Sequence, residues 1–131
     1  RIAFHSFRDL NAELYVVDSD GTGLRRLTYD WAVDAGPKWS PDGSRLAFMS
    51  DRSADDLLSA PQFDVHVIDL TTGAIERHTD TGDVRALDWS PDGERITFVR
   101  GSGFDGLGEL WAVDITTGAT ELLLSDPDWQ S

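Results

Sequence analysis

The chain has 131 residues, enough for one ordinary domain, and its 24 acidic side chains against 11 basic ones give a formal net charge of −13. That balance argues against nucleic acid and anionic membranes as partners, because both are held by a basic face. With no cysteine there are no disulfides, and no apolar run approaches the roughly 18 residues of a membrane span.

The first run, Arg1-Ile2-Ala3-Phe4, alternates with period two and reads as a strand with Ile2 and Phe4 on one face. Leu14 to Val17 is apolar at every position, so a strand here must be covered on both sides. A turn over Asp18 to Gly23 then leads to a short outer strand, Leu24 to Thr28. Asp18-Ser19-Asp20-Gly21 resembles part of a calcium loop but lacks the later acidic ligand, and it reads better as a hairpin turn. At Trp39-Ser40-Pro41-Asp42-Gly43, proline fixes φ, aspartate can bond its own backbone and glycine supplies a positive φ, which together specify a tight turn.

The series then repeats. Arg45-Leu46-Ala47-Phe48, Val65 to Ile68 and the turn Asp69 to Gly73 are followed by Trp89-Ser90-Pro91-Asp92-Gly93, Arg95-Ile96-Thr97-Phe98, Leu110 to Val113, Asp114 to Gly118 and Ala119 to Leu124. The Arg-x-x-Phe strands start at residues 1, 45 and 95, a spacing typical of a β-propeller blade. Nothing reads as helix beyond one turn within Ala54 to Ala60.

The expected fold is therefore all-β, with about three four-stranded antiparallel blades. Blade 1 covers residues 1–36 and lacks its innermost strand, blade 2 covers 37–84 and blade 3 covers 85–131. Closed propellers use roughly four to eight blades, so three cannot close a ring. An open blade face of roughly 600 Å² of apolar area would forfeit about 15 kcal/mol. The end blades are thus expected to be covered, by further blades of a longer polypeptide or by a second copy, making six.

Trp-Ser-Pro-Asp-Gly, the Ile/Leu-Ala/Thr-Phe strand after it, Ser50-Asp51-Arg52, and Asp20-Gly21-Thr22-Gly23-Leu24-Arg25-Arg26-Leu27-Thr28 together resemble the repeats of TolB-like six-bladed propellers, over essentially the whole chain. That family includes a periplasmic, protein-binding component of the Tol-Pal envelope system and the propeller domains of serine peptidases related to prolyl oligopeptidase and tricorn. The resemblance implies a non-catalytic module binding a protein through its loop face, in the periplasm or outside the cell. The alternative it leaves open is the gating propeller of a serine peptidase whose catalytic domain lies outside this chain.

In an antiparallel blade the irregular loops gather at one end and the tight turns at the other. The irregular end is where binding usually sits. The candidate binding residues there are Trp31, Asp34, Arg52, Asp55, Asp56, Leu57, Leu58, Phe104 and Asp105. The acids at this end suggest a basic partner or a cation, although the tight-turn end is acidic too. Leu57 and Leu58 lie in a stretch that makes the second copy longer than its siblings, where they either meet a partner or fold back on the blade edge. Trp31 either anchors a ligand or packs between blades, whereas Trp39 and Trp89 read as core.

No catalytic set emerges. His5, His66 and His78 fall in slots that the sibling copies fill mostly with apolar residues, which points to structural roles. Gly101-Ser102-Gly103 is not a nucleophile elbow. No metal or cofactor is called for.

Overall fold

The computed structural model describes residues 1–7, 12–29, 32–52, 62–101 and 108–125. Among these residues eleven strands run in chain order: β1 (Ile2–Ser6), β2 (Glu13–Val17), β3 (Arg25–Arg26), β4 (Asp34–Trp39), β5 (Arg45–Ser50), β6 (Asp64–Asp69), β7 (Ile75–Arg77), β8 (Val84–Trp89), β9 (Arg95–Arg100), β10 (Glu109–Asp114) and β11 (Thr120–Ser125). They form three antiparallel meanders, β1-β2-β3, β4-β5-β6-β7 and β8-β9-β10-β11. The fold is all-β, built as part of a propeller.

The Pro-Asp-Gly turns form as the sequence dictates. Gly43 and Gly93 take φ of 75° and 72°, a region open to glycine at little cost. Each turn is closed by backbone bonds from Gly43 N to Ser40 O and from Ser40 N to Arg45 O, both 2.9 Å, with the same pattern at Gly93, Ser90 and Arg95. The Asp18 turn is likewise a hairpin, with Asp18 N donating to Thr22 O and Gly21 N to Asp18 O.

The outer strands differ in length for a visible reason. β3 has two residues and β7 three, whereas β11 has six. Past β3, Leu27 N still donates to Leu14 O, but Leu14 N then donates to the Thr28 hydroxyl at 3.0 Å rather than to a backbone carbonyl. Past β7, His78 N donates to Val65 O and Val65 N to the Thr79 hydroxyl at 2.9 Å. In both sheets a threonine side chain takes over from the backbone and ends the ladder. The strand expected over Leu24 to Thr28 is therefore confined to its two arginines. In the third sheet backbone pairing continues until Glu109 meets Ser125.

The sheets stack in sequence, the first on the second and the second on the third. Alternation along β5 sends Leu46 and Phe48 to the first junction, with Leu14, Val16 and Ile68, and Ala47 to the second. The second junction also takes Val65, Val67, Leu87, Trp89, Ile96, Phe98 and Val113. Each Ile/Leu-x-Phe face thus packs on the preceding sheet. In the first sheet the equivalent Ile2 has no such cover among the described residues and is 51% exposed.

Recurrent contacts cross the junctions. Asp34 N at the head of β4 donates to Ala12 O (3.0 Å), and Val84 N at the head of β8 donates to Phe63 O (3.1 Å). Near the other end of these inner strands, the Arg1 guanidinium lies 5.1 Å from the centre of the Trp39 ring, and Arg45 lies 5.1 Å from that of Trp89. The Trp89 indole N–H also donates to Lys38 O at 2.9 Å. Trp89 is buried, as expected of a core residue, and Trp39, partly buried, packs against the core of the first junction.

Candidate functional site

Of the nine candidate binding residues, Asp34 and Arg52 fall within the described structure, and they meet. Trp31, Asp55, Asp56, Leu57, Leu58, Phe104 and Asp105 lie outside the described residues.

Asp34 occupies the first position of β4, opposite Ser50 at the end of β5. This register brings Arg52, two residues past the strand, back over the head of β4. An Arg52 Nη2 to Asp34 Oδ2 ion pair of 2.8 Å joins them, with Asp34 wholly buried and Arg52 partly open. Arg52 Nε donates to the Ser50 hydroxyl at 3.1 Å. Beneath the guanidinium lies the Phe48 ring at 5.5 Å, and beneath that the His66 ring, its centre 5.8 Å from that of Phe48. Asp51 Oδ1 accepts from Val33 N at 2.8 Å, holding the incoming chain to this corner.

The second Asp34 oxygen, Oδ1, is buried without a hydrogen-bond partner among the described residues. His66 is also buried, and burial lowers its pKa, with Arg52 acting in the same direction and the Asp64 carbonyl, Asp64 and Asp34 opposing. Its Nδ1 lies 3.1 Å from Asp64 O. His66 thus packs inside the second sheet, stacked on Phe48. His5 differs, being exposed on the first sheet with Nδ1 accepting from Gly36 N at 3.3 Å.

Among the described residues, several acids of this end are committed to the protein itself. Asp64 Oδ1 accepts from the Thr79 hydroxyl (2.6 Å), Thr81 N (2.9 Å) and Gly82 N (3.0 Å), fastening the connection into the third sheet. Glu13 does the equivalent in the first sheet, accepting from the Thr28 hydroxyl and facing Arg26 Nη2 at 3.5 Å. Asp83 Oδ1 is bound by Arg100 Nε at 3.0 Å. Among the described residues no group of three or more potential metal ligands comes together. The attraction for a cation expected from the count of aspartates is therefore largely satisfied internally at the described positions.

Sequence reasoning did not single out the Glu13–Thr28 and Asp64–Thr79 clips or the Arg–Trp contacts. The signal was present: an acid opens the third strand of every copy, and an arginine stands three residues before every strand phenylalanine.

The repeat pattern and stacked meanders have a counterpart among protein families, for the model of the TolB beta propeller domain matches residues 1–128. The chain belongs to this family. A TolB homolog of Chlorobium luteolum is 39% identical over 61 residues, 47% of this chain and 12% of that protein. The Tol-Pal system protein TolB of Desulfosudis oleivorans is 40% identical over 52 residues, 40% of this chain and 12% of that one. The chain thus matches only about an eighth of the length of these curated relatives.

Among solved structures, TolB from Acinetobacter baumannii superposes with a TM-score of 0.75 at 21% identity, over 93% of this chain and 30% of that one. The acylaminoacyl peptidase of Pyrococcus horikoshii gives 0.62 at 17% identity, over 92% of this chain and 22% of the other. At these identities the likeness is one of fold. No helix among the described residues is long and apolar enough to cross a membrane.

Proposed function

We propose that this chain is a non-catalytic TolB-like module that binds a protein partner through the loop end of its sheets, in the periplasm or outside the cell. Family membership over residues 1–128 carries the reading. The name of the Desulfosudis relative places that protein in the Tol-Pal system. The loop end suits such a role physically: the Arg52–Asp34 pair, propped on Phe48 and His66, is a rigid base, and the longest connection between described strands, from Arg52 to Asp64, leaves directly from it. Arg52, partly exposed and paired with Asp34, is the cationic group of this base. The proposed surface extends from this base to Trp31, Asp55, Asp56, Leu57, Leu58, Phe104 and Asp105. The open faces of the first and third sheets would be covered by further blades of the same polypeptide or by a second copy.

The test is calorimetric titration of the intact protein with the Pal component of its own organism. Saturable binding that weakens in a double variant, Arg52→Gln with Asp34→Asn, in which no buried carboxylate is left unpaired, supports the reading. Absence of binding, together with hydrolysis of chromogenic peptides by the intact protein, would overturn it in favour of the gating propeller of a serine peptidase. The likeness in fold to acylaminoacyl peptidase keeps that second reading in view.

A further inference from the structure

A cleft of about 440 Å³ opens between β7 with its following loop and the face of the third sheet. Its floor is set by register. Phe98 pairs with Trp111, Arg100 lies two positions beyond Phe98, and Thr120 pairs with Val113, so these four side chains share the face turned toward the second sheet. The opposite wall brings His78 and Thr81.

The chemistry of this lining is mixed rather than charged. Arg77 and Arg100 are balanced by Asp80 at the cleft and by Asp83, which holds Arg100 through Nε at 3.0 Å. The terminal nitrogens of Arg100 donate to nothing else among the described residues, while its guanidinium lies 5.5 Å from the centre of the Trp111 ring. Burial lowers the pKa of His78 against the opposing Glu76, whose carboxylate lies 3.8 Å from Nε2, and leaves an imidazole that is neutral at pH 7. Thr120 is exposed, and the Thr81 hydroxyl is buried without a partner among the described residues.

We propose that this cleft binds a neutral polyhydroxylated ring, a hexopyranose unit, seated against the Arg100–Trp111 stack at the edge of the indole, with its hydroxyls bonded to Arg100, His78 and Thr120. A balanced charge gives no preference for an ion. An aromatic edge flanked by donors and acceptors is complementary to a ring that is apolar on its faces and polar at its edge. The cleft volume suits one or two such rings. Nothing in this proposal depends on the loop-end binding above.

The experiment follows the indole N–H resonances of the intact protein during titration with D-glucose, N-acetyl-D-glucosamine and its β-1,4-linked disaccharide, with Trp111→Phe assigning the Trp111 signal. The expected result is a saturable shift of that resonance by at least one sugar. Tighter binding of the disaccharide than of the monosaccharides would identify a glycan as the source, and equal binding a free sugar. Arg100→Gln should weaken binding about tenfold, the worth of a charge-assisted hydrogen bond. Thr120→Val, at an exposed position that leaves the fold intact, should weaken it several-fold. No saturable shift up to about 100 mM sugar would overturn the proposal, a level at which even a very weak site would fill. An equal response to cyclohexanol, or Thr120→Val binding as the parent does, would overturn it too.

Discussion

Arg45 and Trp89 clasp each other across the junction between the second and third sheets, guanidinium over indole at 5.1 Å, and Arg1 and Trp39 repeat the contact one sheet earlier. Because the arginine belongs to one repeat and the tryptophan to the next, the pair acts as a coupling between blades rather than as part of one. Arg45→Ala should lower stability by about 1 kcal/mol, with Arg45→Lys in between, as read from urea unfolding midpoints. Arg95 stands at the same point of the third repeat, where its described partner is the exposed Glu121 at 3.3 Å. Arg95→Ala should then change stability by less than about 0.5 kcal/mol in a protein whose third sheet has no following tryptophan. In one where a further repeat supplies an indole, it should cost as much as Arg45→Ala, so the two variants together report whether the wheel continues past this sheet.

The Arg52–Asp34 pair is asymmetric in burial, and its two halves should not be equally dispensable. Asp34 is 0% exposed whereas Arg52 reaches solvent. Arg52→Ala strands a carboxylate in the interior and should destabilise by about 3 kcal/mol. Asp34→Asn keeps an acceptor of the same shape and frees a guanidinium that can turn outward, so its cost should be about 1 kcal/mol. Chemical denaturation of both variants checks the order, and an Asp34→Asn protein less stable than Arg52→Ala would contradict it.

Much of the fold was legible because its signals are local. Trp-Ser-Pro-Asp-Gly states a turn within five residues, and period-two alternation sorts Leu46 and Phe48 from Ala47 without reference to anything distant. The site was legible only as a list of residues at one end. Asp34 meets Arg52 eighteen positions away, and Asp64 meets Thr79 fifteen away. Those pairings depend on strand register, which the sequence states only indirectly. Which of the described acids at this end are already bound depends on the same register, and counting acids does not reveal it. The shortness of β3 and β7 was hidden for the same reason, for a threonine replacing a ladder bond looks in sequence like any other strand residue.

Asp42 should make stability pH-dependent in acid. Bonds from Ser44 N (3.0 Å), the Ser44 hydroxyl (2.7 Å) and the Ser40 hydroxyl (2.8 Å) hold its carboxylate at a pKa of about 2, down from the ordinary 3.8. A group whose pKa is lower folded than unfolded contributes stability that is complete above the unfolded value and lost as pH falls through the folded one. The window therefore runs from just above 3.8 down to about 2. Asp42→Asn should flatten the fall of the melting temperature in that interval. Because Asp92, Asp114 and Asp20 are lowered in the same direction, the single variant should flatten it only in part, and an unchanged slope would show that the turn does not favour the charged form.

His66 should act at milder pH. Burial lowers its pKa below the ordinary 6.5, so the unfolded chain takes up its proton first and acidification through and below 6.5 favours unfolding. The sibling slots hold Tyr15 and Trp111, and Tyr15 stacks on Phe4 as His66 stacks on Phe48. An apolar ring is therefore compatible with this position of the repeat. His66→Phe should remove its part of the stability lost on acidification, leaving the part due to His78, whose pKa burial lowers in the same direction. Urea unfolding at pH values above and below 6.5 reads the difference: the variant's advantage over the parent should grow as the pH falls, and an advantage that stays constant would mean that His66 does not resist protonation in the folded protein.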